Sequence, residues 1–244
     1  MKHLKHIILT LSLTAAILGG FFLFLELRDT AAAQSAFSTL AQQVAAAREQ
    51  TAADIASATL PEYAALMDNP EWFGWIRVPG TAIDYPVMQS PSRPDFYLNH
   101  GADGGKLRSG TPYAEEHNTP DSDNITVHGH RMRADALFSD LGQYKSREFW
   151  EQNRIVLFDT LTERREYEIL AAFRENVFAE GAFRYWEFST AATAAEFDEY
   201  VAACRARALY DTGVTSKYGD KLLTLSTCDG SRFRLIVVGA WHGE

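Results

Sequence analysis

The sequence predicts a mainly β domain closed into a barrel of about eight strands, with N-terminal helices and one long helix inserted before the last two strands. Three observations predict this fold. Short segments rich in β-branched and aromatic residues recur after residue 69, separated by Pro, Gly and Asn. One segment near the C-terminus repeats its apolar residues at helical spacing. The segment before residue 68 has the composition of helices.

Residues 1–29 are expected to form a cytoplasmic tail and a transmembrane anchor. Residues 7–25 carry no charge, and this length is sufficient to cross a bilayer. Lys2 and Lys5 precede the apolar run, so the positive-inside rule places the tail in the cytoplasm and the rest of the chain outside. A cleaved signal peptide is the alternative, because residues 31–33 are small. The apolar region of a signal peptide is usually only about 7–15 residues long, shorter than the uncharged run seen here, so the anchor is favoured.

Residues 30–68 are rich in Ala, Gln and Glu and predict a helical stalk interrupted at Pro61. This stalk either packs on the following domain or acts as a spacer that lifts the domain off the membrane. Residues 69–244 form the predicted barrel domain.

Within the barrel domain, alternating polarity and turn residues define the predicted strands. They cover residues 72–78, 82–88, 110–115, 124–128, 155–159, 165–173, 221–228 and 232–240. A short helix is predicted over residues 134–141. Residues 193–209 are predicted to form the long helix, because its apolar residues recur at helical spacing: Phe197, Tyr200, Val201, Cys204 and Ala208.

The composition excludes several functions. A net charge of −9 without clustered Lys and Arg argues against binding to nucleic acid. Two cysteines are too few for a disulfide scaffold, although a single bridge between them is an alternative for an exported protein. Cys204 lies on an apolar helix face, where a thiol usually acts as a small hydrophobe.

Cys228 is the candidate nucleophile. It ends a predicted strand and precedes Asp229-Gly230, a turn signal, so it lies at a sheet rim that a substrate can reach. A cysteine nucleophile requires a group for proton transfer and donors for an oxyanion. His130 also follows a strand and a glycine, and it is the candidate general acid or base. His128 and His130 could instead bind a metal, but no third ligand is suitably spaced, so we expect neither metal nor cofactor.

Arg232 and Arg234 are the candidate cations for the oxyanion. If the hairpin after Cys228 had a two-residue turn, both arginines would point away from the thiol. A turn of three or five residues would place both on the face of Cys228. A catalytic role for either arginine therefore requires an odd turn.

In combination, these residues resemble the sortase family, and its class B group in particular. The resemblance covers residues 69–240 and rests on several ordered motifs. Residues 129–132 are similar to the family's Gly-His-Asn-Met motif, with Arg131 in place of Asn, and residues 224–228 match its Thr-Leu-x-Thr-Cys motif. Residues 69–87 and 96–100 resemble its opening segments, and residues 197–212 resemble the long helix typical of class B.

The resemblance implies a sortase-like barrel in which Cys228 is the nucleophile and His130 the general acid or base. It favours Arg234 over Arg232 as the oxyanion arginine, although the gap from the cysteine is shorter than usual in class B, so Arg232 remains the alternative. Ser226 and Thr227 are expected to contact the substrate. His128 stands where the family commonly has an aromatic residue and is interpreted as a neighbour of the site.

The reaction implied by the resemblance is transpeptidation. The thiolate cleaves a C-terminal sorting signal after Thr, and a cell-wall or pilin amine resolves the thioacyl-enzyme. The expected partners are surface proteins that carry such a signal, the amine acceptor, and the membrane that holds the N-terminal helix. One alternative is an exported cysteine hydrolase with water as acceptor. The other is a non-catalytic surface interaction domain.

Overall fold

The computed structural model describes residues 2–50, 60–66, 69–132 and 136–243. Within these residues, eight strands form a closed barrel, which confirms the predicted fold class. They are β1 (Trp72–Arg77), β2 (Asp84–Met88), β3 (Tyr113–Ala114), β4 (Asn124–His128), β5 (Ile155–Asp159), β6 (Arg164–Asn176), β7 (Lys221–Asp229) and β8 (Phe233–Trp241). Around the barrel the order is β1-β2-β3-β4-β7-β8-β6-β5, and β5 pairs back onto β1. The pairs β2–β3 and β4–β7 are parallel, and the others are antiparallel.

Three α-helices accompany the barrel among the described residues: α1 (Lys2–Gln50), α2 (Arg147–Gln152) and α3 (Ala194–Arg207). Helix α3 is the predicted long helix, and four of its five predicted apolar residues are buried, whereas Ala208 lies just past its end and is partly buried. The short helix predicted over residues 134–141 is instead a 3-10 helix over Phe138–Lys145, and residues 134–135 lie outside the described residues. Helix α2 was not predicted, because six residues are too few for a periodic pattern.

Strands β7 and β8 are buried on both faces. Their inward side chains, such as Leu225 and Val237, share the barrel core with Val127 of β4. Their outward side chains, such as Leu222 and Ile236, pack beneath α3. Burial on both faces accounts for the nearly continuous apolar sequence of these strands. Below, the face of β7 and β8 that is turned toward α3 is called the outer face.

The second half of α1 packs against the barrel. The ring of Phe37 meets Tyr85 of β2 edge to face at 5.2 Å, and Val44 is buried in a cluster with Trp72 of β1. Arg48 forms an ion pair with Asp159 of β5. The described part of the predicted stalk is therefore packed on the domain, while residues 51–59 and 67–68 lie outside the described residues. Helix α1 is continuous through residues 29 and 30, so the boundary between anchor and stalk stays a prediction.

Within the described residues, one helical segment, Leu11–Arg48, is long and apolar enough to cross a membrane. Large apolar side chains in its first half, including Leu11, Ile17 and Phe22, are exposed. Length and composition support the predicted anchor to this extent, and a signal sequence satisfies the same criteria.

Candidate active site

Cys228 is the last member of a row of side chains on the outer face of β7. Thr224 and Ser226 precede it at two-residue spacing, as strand alternation requires. Both hydroxyls are buried in hydrogen bonds. Thr224 Oγ1 lies 3.0 Å from the Tyr200 hydroxyl, and Ser226 Oγ lies 2.7 Å from the Tyr185 hydroxyl. Cys228 is only half-buried, so the row reaches solvent at the thiol.

The turn after Cys228 contains three residues. Asp229 pairs with Phe233, which leaves residues 230–232 in the turn, and Gly230 has a φ of 85° that few other residues adopt. Cys228 is consequently the direct partner of Arg234 across the hairpin. Directly opposed residues share a face of the sheet, so the structure meets the requirement for an odd turn. Arg232 is exposed within the turn itself.

His130 is held beside the end of β7 by the backbone that precedes it. The parallel pairing of β4 with β7 places His128 opposite Ser226, and the Gly129 N–H donates to the Ser226 carbonyl at 3.0 Å. Thr227 Oγ1 donates to the Gly129 carbonyl at 2.8 Å. A Cβ at Gly129 would lie 2.6 Å from the Phe138 ring, so only glycine fits here.

A backbone carbonyl orients the imidazole of His130. Its Nε2 lies 2.8 Å from the Leu98 carbonyl oxygen. A carbonyl can only accept, so Nε2 carries the hydrogen in this contact. Nδ1 is then the ring nitrogen that can take up and release a proton.

A groove of about 410 Å³ collects the predicted site residues. Its lining contains Cys228, His130, Arg234, Ser226 and Thr227, together with other apolar and polar side chains. The hydroxyl of Ser226 is already bonded within the protein, and that of Thr227 is bonded to backbone. The structure therefore brings all five residues together and leaves Arg232 outside the groove lining.

Two polar pairs form one wall of the groove. The Tyr113 hydroxyl donates to Asp95 Oδ1 at 2.6 Å, and His128 Nε2 lies 2.8 Å from Glu115 Oε1. Burial raises the pKa of Glu115, but the hydrogen bond and charge of His128 lower it by more, and the net shift is downward. His128 is thus engaged with a carboxylate, consistent with its interpretation as a neighbour of the site.

Asp229 lies immediately after Cys228 and is surrounded by three cations. Its carboxylate is 7 % exposed and accepts from Arg131 Nη1 at 2.8 Å, Lys145 Nζ at 2.5 Å and Arg174 Nε at 2.5 Å. Burial raises the pKa of Asp229, but the hydrogen bonds and charges of Lys145 and Arg174 outweigh it and lower the pKa below its usual value. From sequence, Asp229 is predicted only as a turn residue.

Cys204 takes no part in the groove. It is fully buried between α3 and the barrel. Burial raises its pKa to about 12, so it is a poor nucleophile. Both cysteines are free, so the disulfide considered from sequence is not formed.

Two other features are less suited to chemistry. A larger cavity, of about 670 Å³, lies between α1 and β1, but no cysteine or histidine lines it within the described chain. Glu115, Glu116 and His117 bring ligand atoms within 4.8 Å of one another. Two of these residues are exposed, and Glu115 is already paired with His128, so the cluster is an ordinary polar surface.

A thiol, an imidazole and a guanidinium at one barrel rim are the groups that acyl transfer through a thioester requires. The groove therefore contains the functional groups that a cysteine acyl-transfer enzyme uses. In enzymes of that class, a thiol forms the thioester, an imidazole moves protons, and a cation or other hydrogen-bond donor faces the developing negative charge.

Comparison with known proteins identifies the family. The sortase domain model matches residues 76–241, more than half of the chain, and the chain belongs to the sortase family. Sortase B of Listeria monocytogenes is 29 % identical over 163 residues, which are 66 % of this chain and 64 % of that protein. The chain thus matches less than two thirds of that relative's length.

Solved structures agree with this assignment. A crystal structure of sortase B from B. anthracis superposes with a TM-score of 0.77 at 24 % identity, covering 89 % of this chain and all of the other. A crystal structure of a sortase B complexed with triglycine has a TM-score of 0.75 at 20 % identity, covering 85 % of this chain and 96 % of the other. Together with the Listeria relative, these similarities confirm that the protein is class B-like.

Proposed function

We propose that this protein is a membrane-anchored cysteine transpeptidase that cleaves a C-terminal sorting signal after Thr and transfers the protein to a cell-wall or pilin amine. The observation that carries the proposal is the convergence of Cys228, His130 and Arg234 on one groove. Membership of the sortase family supports the same reaction. The substrates are surface proteins with a signal resembling Asn-Pro-x-Thr-x.

In the first half-reaction, the Cys228 thiolate attacks the carbonyl carbon of the substrate threonine. The oxyanion of the tetrahedral intermediate faces Arg234, whose guanidinium stabilises it. Protonated His130 gives a proton through Nδ1 to the leaving amine, and the carbon–nitrogen bond breaks. A thioester between Cys228 and the threonine remains, and the C-terminal tail leaves.

In the second half-reaction, an acceptor amine attacks the thioester carbonyl. Neutral His130 takes the proton from the attacking nitrogen, Arg234 again faces the oxyanion, and the Cys228 thiolate leaves. The product is a new peptide bond. The groove admits the acceptor from the solvent-exposed rim, where the thiol is half-buried.

The proposed location follows from the first half of α1. Exposed apolar side chains over this segment support insertion in the cell membrane, with the N-terminus cytoplasmic and the catalytic domain outside. An external protease added to intact cells should then remove the barrel domain and leave the tail protected.

The decisive experiment uses the full chain in detergent micelles with a labelled Asn-Pro-x-Thr-x peptide. Triglycine serves as acceptor, because a structurally similar sortase B was solved in complex with it. We expect mass spectrometry to detect a peptide joined to triglycine through Thr. The Cys228→Ala variant should form no product, and the matched Cys204→Ala variant should retain the activity, because Cys204 is buried away from the groove.

Two outcomes would contradict the proposal. Release of the threonine acid alone, at a rate that triglycine does not change, would favour an exported hydrolase that uses the same three groups. An intact peptide, with Cys228 resistant to thiol reagents in the folded protein, would favour a surface interaction domain.

A further inference from the structure

The carboxylate of Asp229 joins three parts of the fold behind the groove. Arg131 directly follows His130, Lys145 ends the 3-10 helix over Phe138–Lys145, and Arg174 lies in β6. All three contact one carboxylate that is 7 % exposed. A buried carboxylate with three charge-assisted hydrogen bonds has little freedom to move.

Strand alternation turns this carboxylate away from the thiol. Cys228 and Asp229 are consecutive in β7, so their side chains lie on opposite faces of the sheet. Asp229 belongs to the inward series of β7, with Thr227 and Leu225. Its oxygens are occupied by cations, so it does not serve as the third group that orients the imidazole.

Among the three cations, Arg131 is the one whose backbone continues directly from His130. The backbone hydrogen bond between β7 and the preceding segment ends at Gly129. The next contact between this segment and β7 among the described residues is the ion pair between Arg131 and Asp229. The contacts of this segment to β7 therefore flank His130 with a backbone hydrogen bond on one side and an ion pair on the other, while its own carbonyl accepts from the Phe138 N–H at 3.0 Å.

We propose that the Arg131–Asp229 ion pair is a positioning device that holds the imidazole of His130 in register with the Cys228 thiol. Arg131 and Asp229 act through their neighbours and touch no reacting atom. The inference rests on the proposed function for the reaction that it serves, whereas the alignment of thiol and imidazole is measurable without any peptide substrate. Lys145 and Arg174 anchor the same carboxylate to the scaffold.

The test compares Arg131→Gln with the matched variant Lys145→Gln in the full chain. Each substitution removes one cation from Asp229, and the two side chains have similar exposure, 42 % and 37 %. The first readout is the rate at which iodoacetamide alkylates the thiol at a fixed pH. Buried Cys204 contributes little to this rate, and the Cys228→Ala variant measures that background.

We expect Arg131→Gln to slow the alkylation of Cys228, because a displaced imidazole no longer takes up the proton of the thiol. The kcat for the peptide should fall by about 10- to 100-fold while KM changes by less than about twofold, as expected for misplaced reacting groups. Lys145→Gln should change the alkylation rate and kcat much less, because Arg174 still holds the carboxylate of Asp229 and the ion pair with Arg131 remains. Arg131→Lys should recover part of the loss.

Equal losses of alkylation rate in both variants would overturn the inference, because loss of charge alone would then explain them. An unchanged alkylation rate in Arg131→Gln would overturn it as well. If the wild-type chain cleaved no peptide but only Arg131→Gln slowed alkylation, the proposed function would fail and the positioning role would stand. The converse pattern, with cleavage intact and both variants alike, would retain the function alone.

Discussion

Arg232 and Arg234 are two residues apart in the same β-hairpin, yet one lies in the turn and the other in a strand. The three-residue turn makes Arg234 the cross-strand partner of Cys228 and leaves Arg232 in the exposed turn. Arg234 is half-buried in the groove, where water is partly excluded and a guanidinium stabilises negative charge more strongly than at an exposed site.

We expect Arg234→Gln to lower kcat for the sorting peptide by about 100-fold, with a smaller change in KM, because the oxyanion forms only after attack. The matched Arg232→Gln variant should keep kcat within about twofold, since its side chain does not line the groove. Steady-state kinetics on the full chain provide both numbers. The opposite ranking of the two variants would assign the oxyanion role to Arg232.

The sequence predicted Cys228 at the end of a strand and His130 just after one, and the structure brings both to one groove. The sequence was not sufficient to detect the cations around Asp229. Lys145 and Arg174 are 84 and 55 residues away from Asp229 along the chain. Contacts at such separations depend on strand pairing, which local sequence does not determine.

At the scale of elements, α1 has two distinct halves. Its composition predicted a helix but left open whether the stalk packs on the domain. The structure buries Ala33, Phe37 and Val44 at helical spacing against the barrel, while large apolar side chains of the first half stay exposed. The amphipathic second half therefore packs on β1 and β2, where Phe37 joins the barrel core and Val44 joins a separate cluster around Trp72.

Truncation of Phe37 tests this support. We expect Phe37→Ala to reduce the free energy of unfolding by about 3 kcal/mol, because it removes a buried ring that contacts Tyr85. Ser38→Ala, at an exposed neighbouring position, should change it by less than about 0.5 kcal/mol. Chemical unfolding of the full chain in mild detergent, followed by tryptophan fluorescence, measures both. Equal free energies of unfolding for the two variants would mean that the contact between α1 and the barrel does not stabilise the fold.

Strand β3 shows why element bounds were harder to predict than their order. The prediction covered residues 110–115, but only Tyr113–Ala114 forms a strand. Gly110 has a φ of 63°, the Thr111 N–H donates to the Tyr97 carbonyl, and Pro112 has no N–H to offer. The backbone of residues 111 and 112 therefore has no free N–H to donate to a neighbouring strand, and β3 is short.

At the scale of the whole molecule, barrel closure was predictable from the number and spacing of short strands. The parallel pairing of β4 with β7 was not, since about a hundred residues separate paired positions such as His128 and Ser226. This pairing positions the candidate active site, because it brings the segment after β4 to the end of β7. The site is thus a consequence of topology as much as of its motifs.

The charge distribution of the whole molecule predicts its stability in acid. Five carboxyl groups among the described residues have a lowered pKa, against one, Asp159, whose pKa is raised, with burial as the largest cause. For the five, burial raises the pKa and hydrogen bonds or cations lower it by more. They are Glu62, Glu71, Glu115, Asp220 and Asp229.

A carboxyl group with a lowered folded-state pKa stabilises the fold above its unfolded pKa, about 3.9 for Asp and 4.3 for Glu, and loses this contribution as pH falls through the folded value. Asp159, whose pKa is raised, contributes in the opposite direction, but five groups act against it. We therefore expect the free energy of unfolding to be nearly constant above about pH 5 and to decline steadily below about pH 4.

Asp229→Asn should make the decline shallower, because the amide has no proton to gain, whereas Asp121→Asn at an exposed position should leave the slope unchanged. Urea unfolding at a series of pH values measures the slope, and a decline in Asp229→Asn as steep as in the wild type would show that the carboxylate of Asp229 does not contribute to it.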